Sequence, residues 1–343
     1  MKSYDKLKKI SDKGGVVEFQ AEIPLEILEN NMEVSLDEAA ADFEAPGFRK
    51  GKVPKEIVRQ SINEFKLLDS AADASLYDAI NEIIEDEKLN VLGSPEIYIT
   101  KIAVGSPVEF KIKLALYPNI SLPDYKAIGK EVSDKKEAAV ITDKEVDDAI
   151  SQIQQVFAGQ DGENQSEKKN LPEINDEFVK KVSSLNTVAE LREEVKKRLA
   201  QEKDIYSIEK NRDEIISEII KKTKIEVPSL LIDQELHHLS HDREHELEKV
   251  GITTEEYLKQ VKKTPEEMEK DDRKGIEERL KSTLILQEIR KKEDIKAEAK
   301  EIEEETQTLQ KYYPDQDRNT LVRSAEVIVV QRKLFSVLES KKQ

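Results

Sequence analysis

The stretch TVAELREEVKKRLAQEKDIYSIEKNRDEIISEIIKKT, Thr187–Thr223, contains neither glycine nor proline, the residues that most often break a helix. As a single helix it would be about 55 Å long, at 1.5 Å per residue. Its first residues, Thr187 to Glu190, form a capping box, which satisfies the free N–H groups of a first helical turn. The apolar residues make a narrow stripe between charged faces: Val188, Leu191, Val195, Leu199, Ile205, Ile208, Ile215 and Ile219. So narrow a stripe predicts an exposed arm and not the centre of a core.

Helix signals continue on both sides of this stretch, from about residue 140 onward. They are a second capping box at Thr142–Glu145, Pro228 before a helix that Gly251 ends, a start at Thr264–Glu267 and an apolar closing helix at Leu321–Leu338. The composition of AGQDGENQSEKKN, residues 158–170, is that of a solvated linker. We therefore predict an all-α domain with helical arms over residues 118–343, with a linker at 159–170.

The first part of the chain, residues 1–117, has mixed patterns. Three segments alternate apolar and polar residues as half-buried strands do: VVEFQAEI (Val16–Ile23), EIYITKIAV (Glu96–Val104) and VEFKIKLALY (Val108–Tyr117). The last two are separated by a Gly-Ser-Pro turn, which predicts a hairpin. Helical patterns lie between the strands, at Pro24–Phe43, Pro54–Phe65 and Asp69–Lys88. The pattern predicts an α+β domain.

The composition excludes several classes of protein. The chain of 343 residues carries a net charge of -17, and 38% of its residues are charged. It lacks cysteine, so disulfide scaffolds and thiolate chemistry are excluded. The N-terminal residues, MKSYDKLKKISDKGG, lack the apolar core of a secretory signal, and no apolar run is long enough for a membrane span. We expect a soluble cytoplasmic protein that binds no membrane. The acidic surplus argues against general nucleic-acid binding.

One basic loop stands out against this acidic background, APGFRKGKVP, residues 45–54. Two glycines let the chain double back between two helices, and the loop then projects an aromatic and several cations. The candidate docking residues are Gly47, Phe48, Arg49, Lys50, Gly51 and Lys52, with Lys55 and Arg59 extending the positive charge along the next helix. Such residues neutralise phosphates and fill apolar crevices. The alternative is a solvated loop whose charges only maintain solubility.

The segment GFRKGKVP, 47–54, resembles the ribosome-docking signature of the trigger factor family, bacterial chaperones that meet nascent chains at the tunnel exit. Further segments are similar to that family: residues 67–97, ITDKEVDDAISQIQQ (141–155), LPEINDEFVKKV (171–182) and VPSLLIDQEL (227–236). The resemblance covers nearly the whole chain. It implies an ATP-independent chaperone without a cofactor, whose partners are the large ribosomal subunit and unfolded or nascent polypeptides.

The chain departs from the family pattern at one place. Where the family has an inserted prolyl isomerase domain of the FK506-binding-protein type, this sequence has only the linker near 158–170. About a dozen residues cannot form such a domain, so we predict that the protein is not an enzyme. Two alternatives remain, a ribosome-independent holdase or assembly chaperone and a residual prolyl isomerase. Whether the free protein forms a homodimer is open.

Two further groups of residues are candidates for binding. The apolar stripe Val146, Ile150, Ile153 and Phe157 is either core packing or a partly exposed surface for substrate chains. The histidines His237, His241 and His245 are four residues apart and share one helical face, a weak candidate for a metal site because no other segment offers a further ligand. The alternative for the histidines is a solvated helix face.

Overall fold

The computed structural model describes residues 2–135, 140–160 and 171–339, with backbone alone for 158–160. Within these residues the strands are β1 (Asp5–Lys13), β2 (Val16–Ile23), β3 (Val91–Lys101) and β4 (Val108–Leu116). The helices are α1 (Leu25–Asp42), α2 (Lys55–Ser61), α3 (Glu64–Asp86), α4 (Tyr125–Asp134), α5 (Asp143–Gln160), α6 (Asp176–Val182), α7 (Val188–Lys222), α8 (Ser229–Lys249), α9 (Thr254–Val261), α10 (Pro265–Lys292), α11 (Ala299–Tyr312) and α12 (Arg318–Leu338).

The four strands form one antiparallel sheet in the order β1-β2-β4-β3. Strand β2 has the predicted bounds, and β3 and β4 form the predicted hairpin, although β3 begins at Val91 instead of Glu96. Strand β1 was not predicted. Lysines and aspartates dominate it, and an edge strand with one exposed face has no need of the apolar alternation that marks a central strand.

The core of this part lies between the sheet and helices α1 and α3. Alternate residues of β2 and β4 point to the same face, so Phe19 lies opposite Ile112 and both side chains are buried. Leu68, Leu76 and Ile83 of α3 complete the layer. Burying each of these side chains stabilises the fold by roughly 1.5–3 kcal/mol relative to exposure. The α+β prediction is confirmed.

The break between α2 and α3 differs from the predicted one. The sequence pattern placed a helix over Pro54–Phe65 and the next from Asp69, whereas α2 ends at Ser61 and α3 begins at Glu64. The reason is a local cap: the side-chain oxygen of Asn63 accepts a hydrogen bond from the backbone N–H of Phe65 at 2.9 Å. Asparagine at this position starts a helix by satisfying one of its open donors.

The chain divides into two compact units, residues 1–121 with 224–284, and residues 122–223 with 285–343. The sequence prediction instead placed one boundary at 117/118. Residues 224–284 belong with the sheet because Leu230 and Leu231 of α8 pack against Ala115 of β4. In the same unit, the side-chain amide of Gln234 donates a hydrogen bond to the carbonyl oxygen of Ser94 at 2.9 Å.

The second unit is built on α7, a single helix of 35 residues as the sequence predicts. Its predicted capping box is present: the Thr187 hydroxyl accepts from the backbone N–H of Glu190, and the Glu190 carboxylate accepts from the backbone N–H of Thr187. Within the described residues, no helix is both long enough and apolar enough to cross a membrane. Residues 161–170 of the predicted linker lie outside the described residues, and 159–160 belong to the end of α5.

Candidate functional site

The basic loop, residues 45–54, joins α1 to α2. Its backbone is closed by hydrogen bonds from Gly51 N–H to the Phe43 carbonyl at 3.1 Å and from Lys52 N–H to the Arg49 carbonyl at 2.9 Å. Gly47 and Gly51 have φ values of +87° and +71°, in the region that favours glycine. A Cβ atom at Gly51 would lie 2.5 Å from the carbonyl oxygen of Ala41, so a larger residue does not fit there. The loop therefore has a defined shape.

An apolar cluster holds the base of the basic loop. Val53 and Val58 are buried together with Leu36 of α1 and Leu67 of α3. Phe48, in contrast, is 44% exposed. Within the loop, the Val53 side chain therefore packs inward, whereas the Phe48 ring lies at the surface. The docking role of Phe48 stays a prediction.

The cations near the basic loop are not equivalent. Lys55 forms an ion pair with Asp37, and Arg59 forms one with Glu33, so acidic residues of α1 lie beside the charges that the sequence analysis expected to extend along α2. The sequence could not show these pairs because they depend on how α1 and α2 pack. Among the described residues, neither Arg49 nor Lys52 has an ion pair.

Lys50 occupies an intermediate position. Its ammonium group lies 3.2 Å from the Asp42 carboxylate, and both side chains are largely exposed. Exposed pairs of this kind contribute about 0–1 kcal/mol, so a phosphate could replace Asp42 as the partner at little cost. The positive charge of the basic loop is therefore concentrated on Arg49, Lys50 and Lys52, beside the exposed ring of Phe48.

The predicted apolar stripe of α5 is divided between core and surface. Val146 and Ile150 are 2% and 1% exposed and pack in a core with Val179, Leu191 and Val195. They are core residues, which corrects their assignment as a substrate surface. Burial against α6 and α7 could not be distinguished from exposure by the periodicity of α5 alone.

The other half of the stripe lines an open cavity of about 570 Å³, which we call the arm cavity. Its apolar lining includes Ile153, Val156, Phe157 and Leu199, and Lys181 and Arg198 lie at its polar side. The ring of Phe157 meets that of Phe178 edge-to-face, with centroids 5.8 Å apart. The sequence analysis missed Val156, which is exposed, because it lies off the predicted stripe. The arm cavity can accommodate apolar side chains of a bound polypeptide.

A charged contact fixes the start of α5 against α7. The Lys203 ammonium group lies 2.6 Å from the Glu145 carboxylate and also donates to the Val140 carbonyl at 2.9 Å. The predicted capping box is present as well: the Thr142 hydroxyl accepts from the backbone N–H of Glu145, and the Glu145 carboxylate accepts from the N–H and the hydroxyl of Thr142. The hydrogen bond from Lys203, followed by those from Thr142, lowers the pKa of Glu145 to about 2. The contact holds one end of the element that lines the arm cavity.

The histidines of α8 are exposed side chains. The rings of His237 and His238 meet edge-to-face at 6.2 Å, and His241 Nδ1 lies 4.0 Å from the Asp242 carboxylate. Throughout residues 2–135, 140–160 and 171–339, no group of three or more His, Cys, Asp or Glu side chains is placed to hold a metal ion. The face with His237, His241 and His245 therefore does not form such a group in the described part of the chain.

Together these features define a class of architecture, with a basic loop on an α+β unit and an apolar cavity on a helical unit. Two family models match the chain: one described as "Bacterial trigger factor protein (TF)" over residues 6–153, and one as "Bacterial trigger factor protein (TF) C-terminus" over residues 187–331. The chain belongs to the trigger factor family. The resemblance found in the sequence is thereby confirmed.

Curated relatives agree with this assignment. The chain is 22% identical to a trigger factor of Clostridium botulinum (strain Eklund 17B / Type B), covering 88% of this chain and 90% of the relative. It is 23% identical to one of Streptomyces coelicolor, covering 84% and 78%, and 24% identical to one of Carboxydothermus hydrogenoformans, covering 78% and 82%. These identities are low, yet the matches extend over most of each chain.

A solved structure has the same fold. It is described as "Promiscuous Substrate Recognition in Folding and Assembly Activities of the Trigger Factor Chaperone". The comparison gives a TM-score of 0.52 at 16% sequence identity and covers 98% of this chain and 100% of the other. At this identity the likeness concerns the fold, an antiparallel sheet followed by a helical region.

Proposed function

We propose that this protein is a chaperone that docks through its basic loop near the exit of the ribosomal tunnel and shields emerging polypeptides. The observation that carries the proposal is the exposed loop itself, which presents Phe48, Arg49, Lys50 and Lys52 from a chain of net charge -17. Membership of the trigger factor family supports a chaperone role. Docking on ribosomes would put the protein in the cytoplasm.

The proposed docking uses two kinds of contact. The guanidinium group of Arg49 and the ammonium groups of Lys50 and Lys52 neutralise phosphates of ribosomal RNA or carboxylates of a ribosomal protein. The Phe48 ring fills an apolar crevice or stacks on a base. Because the rest of the protein is acidic, phosphate repels most other orientations, and the loop determines how the chaperone sits.

The proposed holding of polypeptides relies on the arm cavity and on other apolar surface. Each 100 Å² of apolar surface that a bound chain removes from water contributes about 2.5 kcal/mol. One such contact is weak and reversible, and several together retain a chain until it folds. Release then needs no nucleotide, which is why we propose an ATP-independent mechanism.

The docking proposal is tested by co-sedimentation with ribosomes. We expect the variant Phe48→Ala/Arg49→Ala/Lys50→Ala to lose at least tenfold in affinity. The matched control is Phe65→Ala/Lys66→Ala/Arg323→Ala, which removes the same three residue types from exposed positions of α3 and α12 and should bind within about twofold of the unaltered protein. Equal sedimentation of the docking variant and the unaltered protein would contradict the proposal.

An assay of aggregation separates holding from docking. If the docking variant still prevents aggregation of a denatured enzyme, then holding does not require the basic loop. A ribosome-independent holdase is the conclusion if the unaltered protein holds chains but does not sediment with ribosomes. Failure of the unaltered protein to prevent aggregation would contradict the chaperone function itself.

We also propose that the protein has no prolyl isomerase activity. The stretch between α5 and α6 is too short for a domain with a prolyl-binding pocket. In a refolding assay limited by proline isomerisation, we expect the rate to stay constant as the protein is added. An acceleration that rises with the concentration of the protein would show the alternative, a residual isomerase.

A further inference from the structure

The free edge of the sheet at β3 exposes apolar residues. Strand β3 is the last in the order β1-β2-β4-β3, and among the residues that the structure describes it pairs with β4 alone. Ile97 and Ile99 lie opposite the buried Ile112 and Phe110, so they belong to the core face of the sheet. Even so, they are 42% and 40% exposed. The apolar face of the sheet therefore continues past its covered part to an open edge.

The first half of the same edge is protected in three ways. Gly93, with φ of +66°, lies in a shift of register between Leu92 and Glu96. Pro95 lacks the backbone N–H that would donate to a further strand. The Ser94 carbonyl already accepts a hydrogen bond from the side-chain amide of Gln234 in α8. Bulges, prolines and covering helices are common means by which proteins prevent pairing at a sheet edge. From Glu96 to Ile99 the pairing with β4 is regular again.

The opposite edge of the sheet is protected by charge. Strand β1, DKLKKISDK, carries four lysines, and its pairing with β2 has two shifts of register. Lysine on an edge strand opposes the approach of another strand. The exposed apolar residue of β1 is Ile10, which is 42% exposed, as Ile97 is. The two edges thus differ in chemistry, and the second half of β3 is the one suited to pairing.

We propose that the Glu96–Ile99 segment of β3 binds an extended polypeptide segment as a fifth strand of the sheet. A strand edge presents backbone N–H and C=O groups that an extended chain can pair in series. On one face, Ile97 and Ile99 select apolar side chains. On the other face, Tyr98 lies under the Lys113 ammonium group at 5.0 Å, and Lys113 pairs with Glu96 at 3.1 Å, which favours polar side chains.

The partner is therefore a segment that alternates apolar and polar residues, as a half-buried strand does before it finds its own sheet. That this segment comes from an unfolded chain rests on the proposed chaperone function, whereas the edge geometry stands independently of it. The regular part of the edge is only four residues long, so few hydrogen bonds form and the binding is weak and reversible.

The test uses the peptide Lys-Thr-Val-Thr-Val-Thr-Val-Thr-Lys and the whole protein labelled with ¹⁵N. We expect the peptide to shift the amide signals of residues 96–100. A control peptide of the same sequence, N-methylated at every interior residue, keeps the side chains but has lost the interior N–H groups. It should bind at least tenfold more weakly. Equal binding of the two peptides would mean that side chains alone make the contact, and the proposal would be overturned.

Variants give a second measurement. Ile97→Lys/Ile99→Lys places charge on the proposed edge and should weaken binding of the unmethylated peptide at least tenfold. Ile10→Lys alters a residue of the same type and exposure on β1 and should leave binding within about twofold. Far-UV circular dichroism checks that each variant is folded. The proposal is overturned if a folded Ile97→Lys/Ile99→Lys variant binds the peptide with unchanged affinity. It is also overturned if the unaltered protein binds no peptide at a peptide concentration of about 1 mM, which is about the largest dissociation constant that we expect.

The outcome is separable from that of the proposed function. If the unaltered protein binds the peptide at β3 but does not prevent aggregation of a denatured enzyme, strand docking stands and the chaperone function fails. If it prevents aggregation but shows no shifts at residues 96–100, the chaperone function stands and strand docking fails.

Discussion

Two glycines within helices have opposite surroundings, and they show how single residues determine packing. A Cβ atom at Gly129 of α4 would lie 1.9 Å from the carbonyl oxygen of Leu338, so α4 and α12 approach each other by way of bare backbone. At Gly275 of α10, apart from its chain neighbours and its own helix backbone, no atom of the described residues lies within 4 Å of the corresponding position. The same substitution should therefore have opposite effects at the two sites.

We expect Gly129→Ala to destabilise the protein by about 1–3 kcal/mol, because relief of the overlap must separate two helices. The gain in helix propensity, about 1 kcal/mol, is included in that net loss. Gly275→Ala should stabilise by about 0.5–1 kcal/mol, since it keeps the propensity gain without a clash. Urea unfolding measures both. A Gly129→Ala variant as stable as the unaltered protein would contradict the packing described for α4.

At the scale of elements, the local sequence pattern was sufficient to predict the bounds of those helices and strands whose pattern extends over the whole element. Strand β2 and helix α7 agree with the sequence because their alternation, or their lack of glycine and proline, extends over the whole element. Strand β1 was missed because an edge strand rich in lysine lacks that alternation. The burial of Val146 and Ile150 was unresolved because it depends on α6 and α7, which pack from elsewhere in the chain.

The candidate site follows the same division. The exposure of Phe48 and the turn made by Gly47 and Gly51 follow from a short sequence with its own signature. The pairing of Lys55 and Arg59 with carboxylates of α1 does not, since it requires the packing of two helices. Motifs within a loop are therefore readable from the sequence, whereas the electrostatics around them are not.

The capping contact at the start of α5 predicts a dependence of stability on pH. The pKa of Glu145 is lowered from 4.5 to about 2, so its ionised form stabilises the fold at pH values above 4.5. This stabilisation is lost as the pH falls from 4.5 toward 2. We expect Glu145→Gln to lower the melting temperature at pH 7 and to have a smaller effect at pH 3, as measured by circular dichroism.

A matched control for this prediction is Glu244→Gln. Glu244 is an exposed residue of α8, and among the described residues it has no ion pair. Its substitution should leave the melting temperature within about one degree, because surface changes are usually close to neutral. If Glu145→Gln lowers the melting temperature by the same amount at pH 3 and at pH 7, the charge of the carboxylate is not the cause.

For the whole molecule, the distribution of charge matters more for the proposed ribosome docking than the net charge does. A net charge of -17 repels RNA, and the ion pairs of α1 with Lys55 and Arg59 further restrict where positive charge is available. The basic loop concentrates the remaining local attraction on three cations and a ring. The proposed docking should therefore depend on salt through only a few charges, unlike binding along an extended nucleic acid.

This argument predicts how single variants change the salt dependence of ribosome binding. Each cation that neutralises a phosphate contributes about one to the slope of log affinity against log salt concentration. Arg49→Ala should reduce the slope by about one, whereas Phe48→Ala should lower affinity at every salt concentration and leave the slope unchanged, because its contact is apolar. Lys66→Ala, an exposed lysine of α3, should change neither quantity. Titrations between about 50 and 300 mM salt, across which the screening length falls to roughly 40% of its initial value, measure these slopes. If Arg49→Ala and Lys66→Ala have the same slope as the unaltered protein, Arg49 does not contact phosphate, and the attraction must come from another part of the surface.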